Sequence, residues 1–557
     1  MLRAALLSVG LLAMLAASAQ TAPATYWVRF TDKTSTPFSI EAPLDFLSQR
    51  SIARREKQDI PVEESDLPVD PAYISALLAA GQFQLHTVSK WFNAVTIRST
   101  DTLALDTVAS LPFVSEMRCL HPGVAHEGRI GDKFPRSKRA TESATLDGTY
   151  GASLRAISMM NGHLLHELGG ARGEGLLIGI LDSGFEQADS MAAFTALRDR
   201  DGIRLTGDIV CPGCDIYEQH WHGRSVLSVL AGMLPGKLMG TAPNADYVLL
   251  RTEDTNSEYP VEEDNWIRGA EVADSIGCDV LNTSLGYTAF DDSTMDHTRA
   301  DLDGLTTRIS IAAGMASRKG MIPVQSAGNS GTSEWRFISA PADAIDILSV
   351  GAVGEDRSVA DFSSRGPSVD GRVKPDVCAV GLGTIGVSGS GEHIDHINGT
   401  SFASPLVCGL TACLWQLHPD RTAHAIMDAV RRSASHFHQP NDSIGYGIPD
   451  FWRAHLLLSG NDLTGLQAPA FFNVYPLPFS DALNIELFTG EARQLTIDLS
   501  DASGRAVLSR TITLEPRIYQ QLRLEDAAVT SLPNGHYTLR ASLDGRAEMI
   551  RALVKAR

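Results

Sequence analysis

Five short runs fix the kind of fold this chain adopts. They are GLLIGILD (Gly175 to Asp182), ADYVLLR (Ala245 to Arg251), CDVLNTSLG (Cys278 to Gly286), MIPVQSAG (Met321 to Gly328) and ILSVGAV (Ile347 to Val353). In each, apolar residues follow one another instead of alternating with polar ones. A strand of that kind is buried on both faces, as in a parallel sheet covered by helices on either side. Helical stretches separate the runs, so residues 150–458 read as one large α/β domain.

The flanks have a different character. Residues 24–118 suggest a small α+β unit. YWVRF (Tyr26 to Phe30) reads as a strand, and LDFLSQRSIARREK (Leu44 to Lys57) has helical spacing. A second helix has Asp70 as cap, Pro71 at its first position and Gly81 as stop. Strands at Trp91 to Arg98 and Phe113 to Arg118 flank a helix near residues 101–110. The order β-α-α-β-α-β suits a four-stranded sheet with helices on one face. Residues 472–557 alternate apolar and polar residues in LNIEL, LTIDLSD, YTLRASL and MIRALVKA, with turn signals at Ala502-Ser503-Gly504 and Pro533-Asn534-Gly535. That pattern predicts a small all-β sandwich. Residues 119–149 and 459–471 are linkers. The first contains Arg136 to Arg139 (RSKR), either a solvated loop or a processing site.

The chain begins with a signal peptide, residues 1–19. Arg3 precedes an apolar run, Ala4 to Ala17, and Ala17-Ser18-Ala19 fits a small-residue cleavage site. The run is too short to span a membrane, which takes about 20 residues, and no second run is long enough. A net charge of -19 argues against nucleic acid and anionic membrane as partners. An exported protein without a transmembrane segment is expected. Seven cysteines in 557 residues are too few for a disulfide scaffold, and their odd number leaves at least one thiol outside intramolecular pairs.

Four positions in the large domain carry chemistry together. Asp182 ends a buried strand, where a carboxylate needs a partner or a site. His220 and His222 follow some forty residues later. Asn329, in SAGNSG, offers a side-chain amide at the end of another strand. Ser401, in NGTSFASP, opens a long apolar helix. Each alone has an ordinary explanation: a turn aspartate, a turn asparagine, an N-cap serine. Pro405 is expected in the helix's first turn, where it is tolerated. A serine hydroxyl becomes a nucleophile when a base lies within reach, and a helix N-terminus supplies free N–H groups and partial positive charge. The order Asp, His, Ser on α/β elements is that of subtilisin, distinct from chymotrypsin and the α/β-hydrolases.

The stretches LDSGF, HGRSVLSVLAG, LNTSLG, SAGNSG, FSSRGP, KPDV and NGTSFASP resemble those of subtilisin-like serine proteases over about residues 150–455. The resemblance implies a subtilisin-like parallel-sheet catalytic domain and a secreted serine endopeptidase acting through an acyl-enzyme. By position, Asp182 matches the acid, His222 the base and Ser401 the nucleophile; Asn329 and the Ser401 N–H match the oxyanion donors. Ser284, Leu285 and Gly286 match the strand that pairs with substrate and walls the first specificity pocket. Ala340-Pro341 matches a peptide bond that is often cis, and Ser339 before it is expected at the pocket base, leaving room for a large side chain. Residues 20–118 resemble the inhibitory propeptide of such zymogens. The C-terminal module resembles the sorting domain of the type IX secretion system of Bacteroidetes, through VYPLPFSDALNIEL, DASGRAV, PNGHYTL and ALVK, although Pro476-Leu477-Pro478 stands where Pro-Asn-Pro is usual. The implied partners are protein or peptide substrates, the chain's own propeptide and the secretion machinery. No cofactor is required. Calcium sites are common in the family, but no acidic loop here is specific enough to assign one.

The two histidines have a rival use. Cys211, Cys214, His220 and His222 form C-x₂-C-x₅-H-x-H, four zinc-ligand types. The gap after the cysteines is short beside the roughly 12–15 residues of a zinc finger, and a zinc-bound His222 would leave Asp182, Asn329 and Ser401 without a base. A Cys211–Cys214 disulfide is the expected alternative. His222 is favoured as base by Gly223 and by the stripe Val226, Val229, Leu230, which mark a helix start. His220 reads as a loop or cleft-rim residue. Arg224-Ser225 replaces the common Thr-His. Cys408 and Cys413 read as buried thiols. Two other classes remain: an inactive relative serving as an adhesin or binding module, and an esterase-type acyl hydrolase.

Overall fold

The computed structural model describes residues 23–101, 103–123, 133–134, 148–167, 169–387, 389, 393–459, 470–475, 478–489, 493–514, 518–525 and 527–556. The signal-peptide assignment, the Arg136–Arg139 motif, residues 460–469 of the second linker and Pro476-Leu477 lie outside them.

All five apolar runs are strands of one seven-stranded sheet, and each pairing in it is parallel. From edge to edge its strands are Val377–Val380, Leu348–Val353, Ile322–Ser326, Val280–Thr283, Leu177–Asp182, Asp246–Arg251 and Ile203–Asp208. The five central strands are almost wholly buried, as continuous apolar runs require. Of the two outer strands, Ile203–Asp208 has no such run, and the apolar run of Val377–Val380 is very short. Ile203–Asp208 is half exposed at an edge, and Val377–Val380 is four residues long. Two apolar clusters line the two sides of the sheet, one holding the helix Thr400–Leu417 and the other Val261–Ile276.

The N-terminal unit is a four-stranded antiparallel sheet in the order Gln84–Ser89, Ala94–Ser99, Ala24–Phe30, Val114–His121. Gln84–Ser89 is a strand that the sequence pattern did not mark; its inner positions are only partly buried. Alternation along Ala24–Phe30 sorts the faces. Val28 and Phe30 meet Leu77 and Val108 of the unit's own helices, whereas Trp27 turns the other way, towards Val261 of the α/β domain. The helix Gln49–Glu56 departs from the expected single layer. Arg54 and Arg55 are buried against Asp274 on the helix Val261–Ile276, with N–O distances of 2.6 and 2.8 Å. Lys90 reaches the same aspartate at 3.1 Å. Glu271, one turn earlier, accepts from the Ser89 hydroxyl and from the backbone amides of Lys90 and Trp91.

The C-terminal region forms two antiparallel sheets of three and four strands around an apolar core that includes Ile485, Ile497 and Leu539. No helix among the described residues is long and apolar enough to cross a membrane.

Candidate active site

The carboxyl ends of three adjacent parallel strands converge on one cleft, where ligands bind in open α/β sheets. Asp182 ends Leu177–Asp182, Ser284 follows Val280–Thr283, and Asn329 follows Ile322–Ser326. His222 and Ser401 come from helix starts. The cleft has a volume of about 690 Å³, and its walls include His222, Ser284, Leu285, Gly286, Asn329 and Ser401.

Asp182 is fully buried, and its Oδ1 lies 2.8 Å from His222 Nδ1. The Ser183 amide and hydroxyl donate to the same oxygen at 2.7 and 3.1 Å. The acid therefore holds one ring nitrogen and leaves Nε2 for the cleft. Gly223 makes the approach of helix and strand end feasible. A Cβ there would stand 2.4 Å from the Gly184 carbonyl oxygen and 2.8 Å from Asp182 Cβ. The helix begins at His222, as the Gly223 context predicts. It is buried on every side, however, so the stripe of Val226, Val229 and Leu230 is only part of its packed surface.

Ser401 lies in the first turn of the helix Thr400–Leu417, one residue inside its start, and makes no capping bond. Its hydroxyl donates to the Ser284 carbonyl at 3.2 Å. Pro405 lies a full turn into the helix, not in the first turn as the sequence suggested. Lacking an N–H, it leaves the Ser401 carbonyl without its intrahelical donor. The Ser284 hydroxyl fills that gap at 2.7 Å, tying the strand end to the serine from both sides.

Asn329 Oδ1 accepts from the Thr400 amide at 2.9 Å and from the Thr400 hydroxyl at 3.0 Å. That fixes the amide so that Nδ2 faces Gly399 and Ser401. A Cβ on Gly399 would lie 3.6 Å from Asn329 Nδ2 and 3.6 Å from Ser401 N. Two donors thus converge on one small volume, kept open by a glycine whose φ is 145°. The Ser401 N–H has no intrahelical acceptor, because it belongs to the first turn.

Ser339 is buried beside Gly286 and Gly328, with its hydroxyl 2.1 Å and 3.0 Å from where their Cβ atoms would be. Small residues on both walls leave this part of the cleft open. The Ala340-Pro341 bond is cis.

His220 lies beside the site. Its Nδ1 is 2.9 Å from the Ser183 hydroxyl and 3.4 Å from the His222 amide nitrogen. Cys211 and Cys214 are joined in a disulfide, which takes both thiols from the zinc alternative. Arg224 and Ser225 are buried and do not line the cleft. Arg224 donates to Glu186 Oε2 at 2.9 Å, and Ser225 to the Val387 carbonyl at 2.8 Å. Cys408 and Cys413 are buried, and burial holds both thiols well above the usual range.

One part of the cleft had no sequence signal. Phe134, from the linker, packs its ring against His222, tilted by 41° with the ring centroids 4.3 Å apart. The preceding Lys133 reaches three carboxylates, Glu253, Glu258 and Glu262, at 2.7, 2.7 and 2.9 Å. In the sequence these are scattered acidic residues more than a hundred positions from Lys133.

Comparison with known proteins places three parts of the chain in known families. Residues 173–447 match the subtilase family, peptidase S8, and residues 25–130 the peptidase S8 propeptide domain of Bacteroidota. Residues 473–555 match a secretion system C-terminal sorting domain, which marks a secreted or cell-surface protein. The chain is 30% identical to membrane-bound transcription factor site-1 protease of Mus musculus over 274 residues, 46% of this chain but only 24% of that protein. It is 25% identical to serine protease AprX of Bacillus subtilis (strain 168) over 334 residues, covering 55% of this chain and 70% of AprX. Subtilisin DY of Bacillus licheniformis is 26% identical over 282 residues, 50% of this chain and 89% of that protein. Residues 173–447 thus carry a subtilase-family domain, preceded by a peptidase S8 propeptide domain and followed by a secretion sorting domain.

Proposed function

We propose that this protein is a secreted serine endopeptidase, made as a zymogen, that hydrolyses peptide bonds through an Asp182–His222–Ser401 triad. One arrangement carries this: His222 is held by Asp182 at 2.8 Å in the same cleft where Asn329 Nδ2 and Ser401 N converge beside the Ser401 hydroxyl. His222 takes the Ser401 proton as Oγ attacks the substrate carbonyl carbon. Asp182 fixes the imidazole tautomer and stabilises the imidazolium. The developing oxyanion accepts from Asn329 Nδ2 and the Ser401 amide. His222 then protonates the leaving amine, and water, activated by the same base, releases the acyl group. Ser401 Oγ now donates to Ser284, and Phe134 covers His222. Both fit a zymogen whose triad closes when the cleft empties.

The test is labelling of the secreted, processed protein with a fluorophosphonate serine probe, together with casein hydrolysis. Labelling and hydrolysis that both vanish in Ser401→Ala are expected. A processed protein that neither labels nor hydrolyses peptides would sink the proposal, and hydrolysis of esters alone would make it an acyl hydrolase of another kind.

A further inference from the structure

The Lys133 ammonium has four acceptors: the carboxylates of Glu253, Glu258 and Glu262, and the Asp254 carbonyl at 2.7 Å. The three acidic side chains are at most about a tenth exposed. They are also held from behind. The Tyr287 hydroxyl donates to Glu253 Oε2 at 2.6 Å, and the Asp254 and Tyr259 amides donate to Glu262 at 2.8 and 3.1 Å. A rigid pocket with three carboxylates and one cation is over-supplied with negative charge. Burial pushes Glu258 up to about 8 and Glu262 well above the carboxylate range, and each carboxylate worsens the position of its neighbours. Removing the one cation leaves buried carboxylates without a partner, which is costly.

The cation and the carboxylates belong to different parts of the chain. The glutamates lie within residues 173–447, which match the subtilase family. Lys133 lies in the segment between that match and the propeptide match at 25–130. Its neighbour Phe134 covers His222, and Glu253 and Glu258 line the same cleft as Ser401 and Ser284. Lys133 and Phe134 thus lie in the cleft as two adjacent substrate residues would, one side chain against the base and the other in the acidic pocket.

Taking the endopeptidase reading as its basis, we infer that Glu253, Glu258 and Glu262 form a specificity subsite for a basic side chain of the substrate, close to the scissile bond, and that Lys133 occupies it in the zymogen. A lysine or arginine supplies the missing charge and several N–H donors, whereas a neutral or acidic side chain leaves the carboxylates unpaired. The subsite works by rejecting the wrong residue as much as by attracting the right one.

The experiment uses the secreted, processed protein and a peptide set in which Lys, Arg, Gln or Glu is placed in turn at each of the four positions before the scissile bond. At one position, kcat/KM for Lys or Arg should exceed that for Gln at least tenfold and that for Glu further still. In Glu258→Gln and Glu253→Gln the Lys-to-Gln ratio should fall towards one, and if a variant does not fold, the wild-type profile alone decides. Equal rates for Lys, Gln and Glu at every position, in protein that the serine probe labels, would overturn the subsite and leave the endopeptidase standing. Absence of both labelling and hydrolysis would remove the endopeptidase and the subsite with it. Loss of the basic preference when calcium is added, with one ion bound per chain, would assign the pocket to a metal instead.

Discussion

Asn329 Nδ2 and Ser401 N lie at the same distance, 3.6 Å, from the point that a Cβ on Gly399 would occupy. One donor comes from a strand end and the other from a helix start, so neither element alone builds the pocket. Asn329→Ala removes one donor and leaves substrate binding largely intact. Its kcat should fall roughly 10²–10³-fold with little change in KM, the loss known for such a donor in subtilisin. Gly399→Ala should cost at least as much by another route, because its methyl fills the pocket and its φ of 145° suits only glycine. Steady-state kinetics on one peptide checks both. An Asn329→Ala enzyme with unchanged kcat would mean the amide does not face the oxyanion.

His222 and His220 should separate cleanly. His222 is the ring held by Asp182, whereas His220 meets Ser183 and the His222 backbone. His222→Ala should abolish peptide hydrolysis to about the level of Ser401→Ala, because members of one triad do not contribute additively. His220→Ala should keep measurable turnover, losing on the order of tenfold or less through slacker positioning of Ser183. The opposite ranking would make His220 the base.

The parts of the molecule legible in the sequence are those whose signal is local. Leu177–Asp182 and the four other apolar strands declare themselves because burial on both faces leaves no polar alternation. Gly223 and the residues around Ser401 declare themselves by the helix starts they serve. The parts that stayed hidden depend on partners far along the chain. Glu253, Glu258 and Glu262 look like solvated acids until Lys133, 120 residues before Glu253, is brought among them. Arg54 and Arg55 look like the polar face of a helix until Asp274 meets them across 220 and 219 residues. Pro405 falls beyond the first turn because its helix already begins at Thr400, ahead of Ser401. Burial of charge in pairs is a tertiary event, and a single sequence carries no periodicity for it.

Asp274 should control how firmly the N-terminal unit is held. Burial disfavours its charge, but Lys90, Arg54 and Arg55 outweigh that and bring its carboxyl down to about 2. Asp274→Asn leaves the buried Arg54 and Lys90 facing a neutral amide, while Arg55 keeps Asp66 at 3.0 Å, and breaking a buried pair in this way costs about 3–5 kcal/mol. Maturation should speed up, with processed protein and peptide hydrolysis appearing earlier after synthesis, or the chain should fold poorly if the N-terminal unit guides folding. A time course of processing, with circular dichroism on the product, distinguishes these. Unchanged processing with unchanged thermal stability would mean that the cluster does not hold the interface.

The same interface should loosen in mild acid, and His86 is the group responsible. His86 Nε2 lies 2.8 Å from Asn265 Oδ1 on the helix Val261–Ile276, with the Arg98 guanidinium 3.5 Å away. Burial, and then Arg98, lower its pKa to about 4. The folded value lies below the ordinary one of about 6.5, so the docked state favours the neutral ring. Its contribution is complete above pH ~6.5 and is lost as the pH falls towards 4, at roughly 1.4 kcal/mol per unit. Asp274 behaves differently. Its folded value of about 2 lies below the ordinary carboxylate value of about 3.9, so its contribution stays complete down to about pH 4 and is lost only below that. Between pH 7 and 4.5 the change at Gln84–Ser89 therefore belongs to His86 and not to Asp274; His121, whose pKa burial and then Arg98 also lower, acts against Tyr259 at the opposite edge of the same sheet. Hydrogen exchange in Ser401→Ala protein, corrected for the intrinsic pH dependence of exchange, reads this directly. Amides of Gln84–Ser89 should lose protection between pH 7 and 4.5. His86→Gln, which keeps a polar group beside Asn265 but cannot take up a proton, should flatten that loss. A pH dependence that survives His86→Gln unchanged would place the sensing group elsewhere.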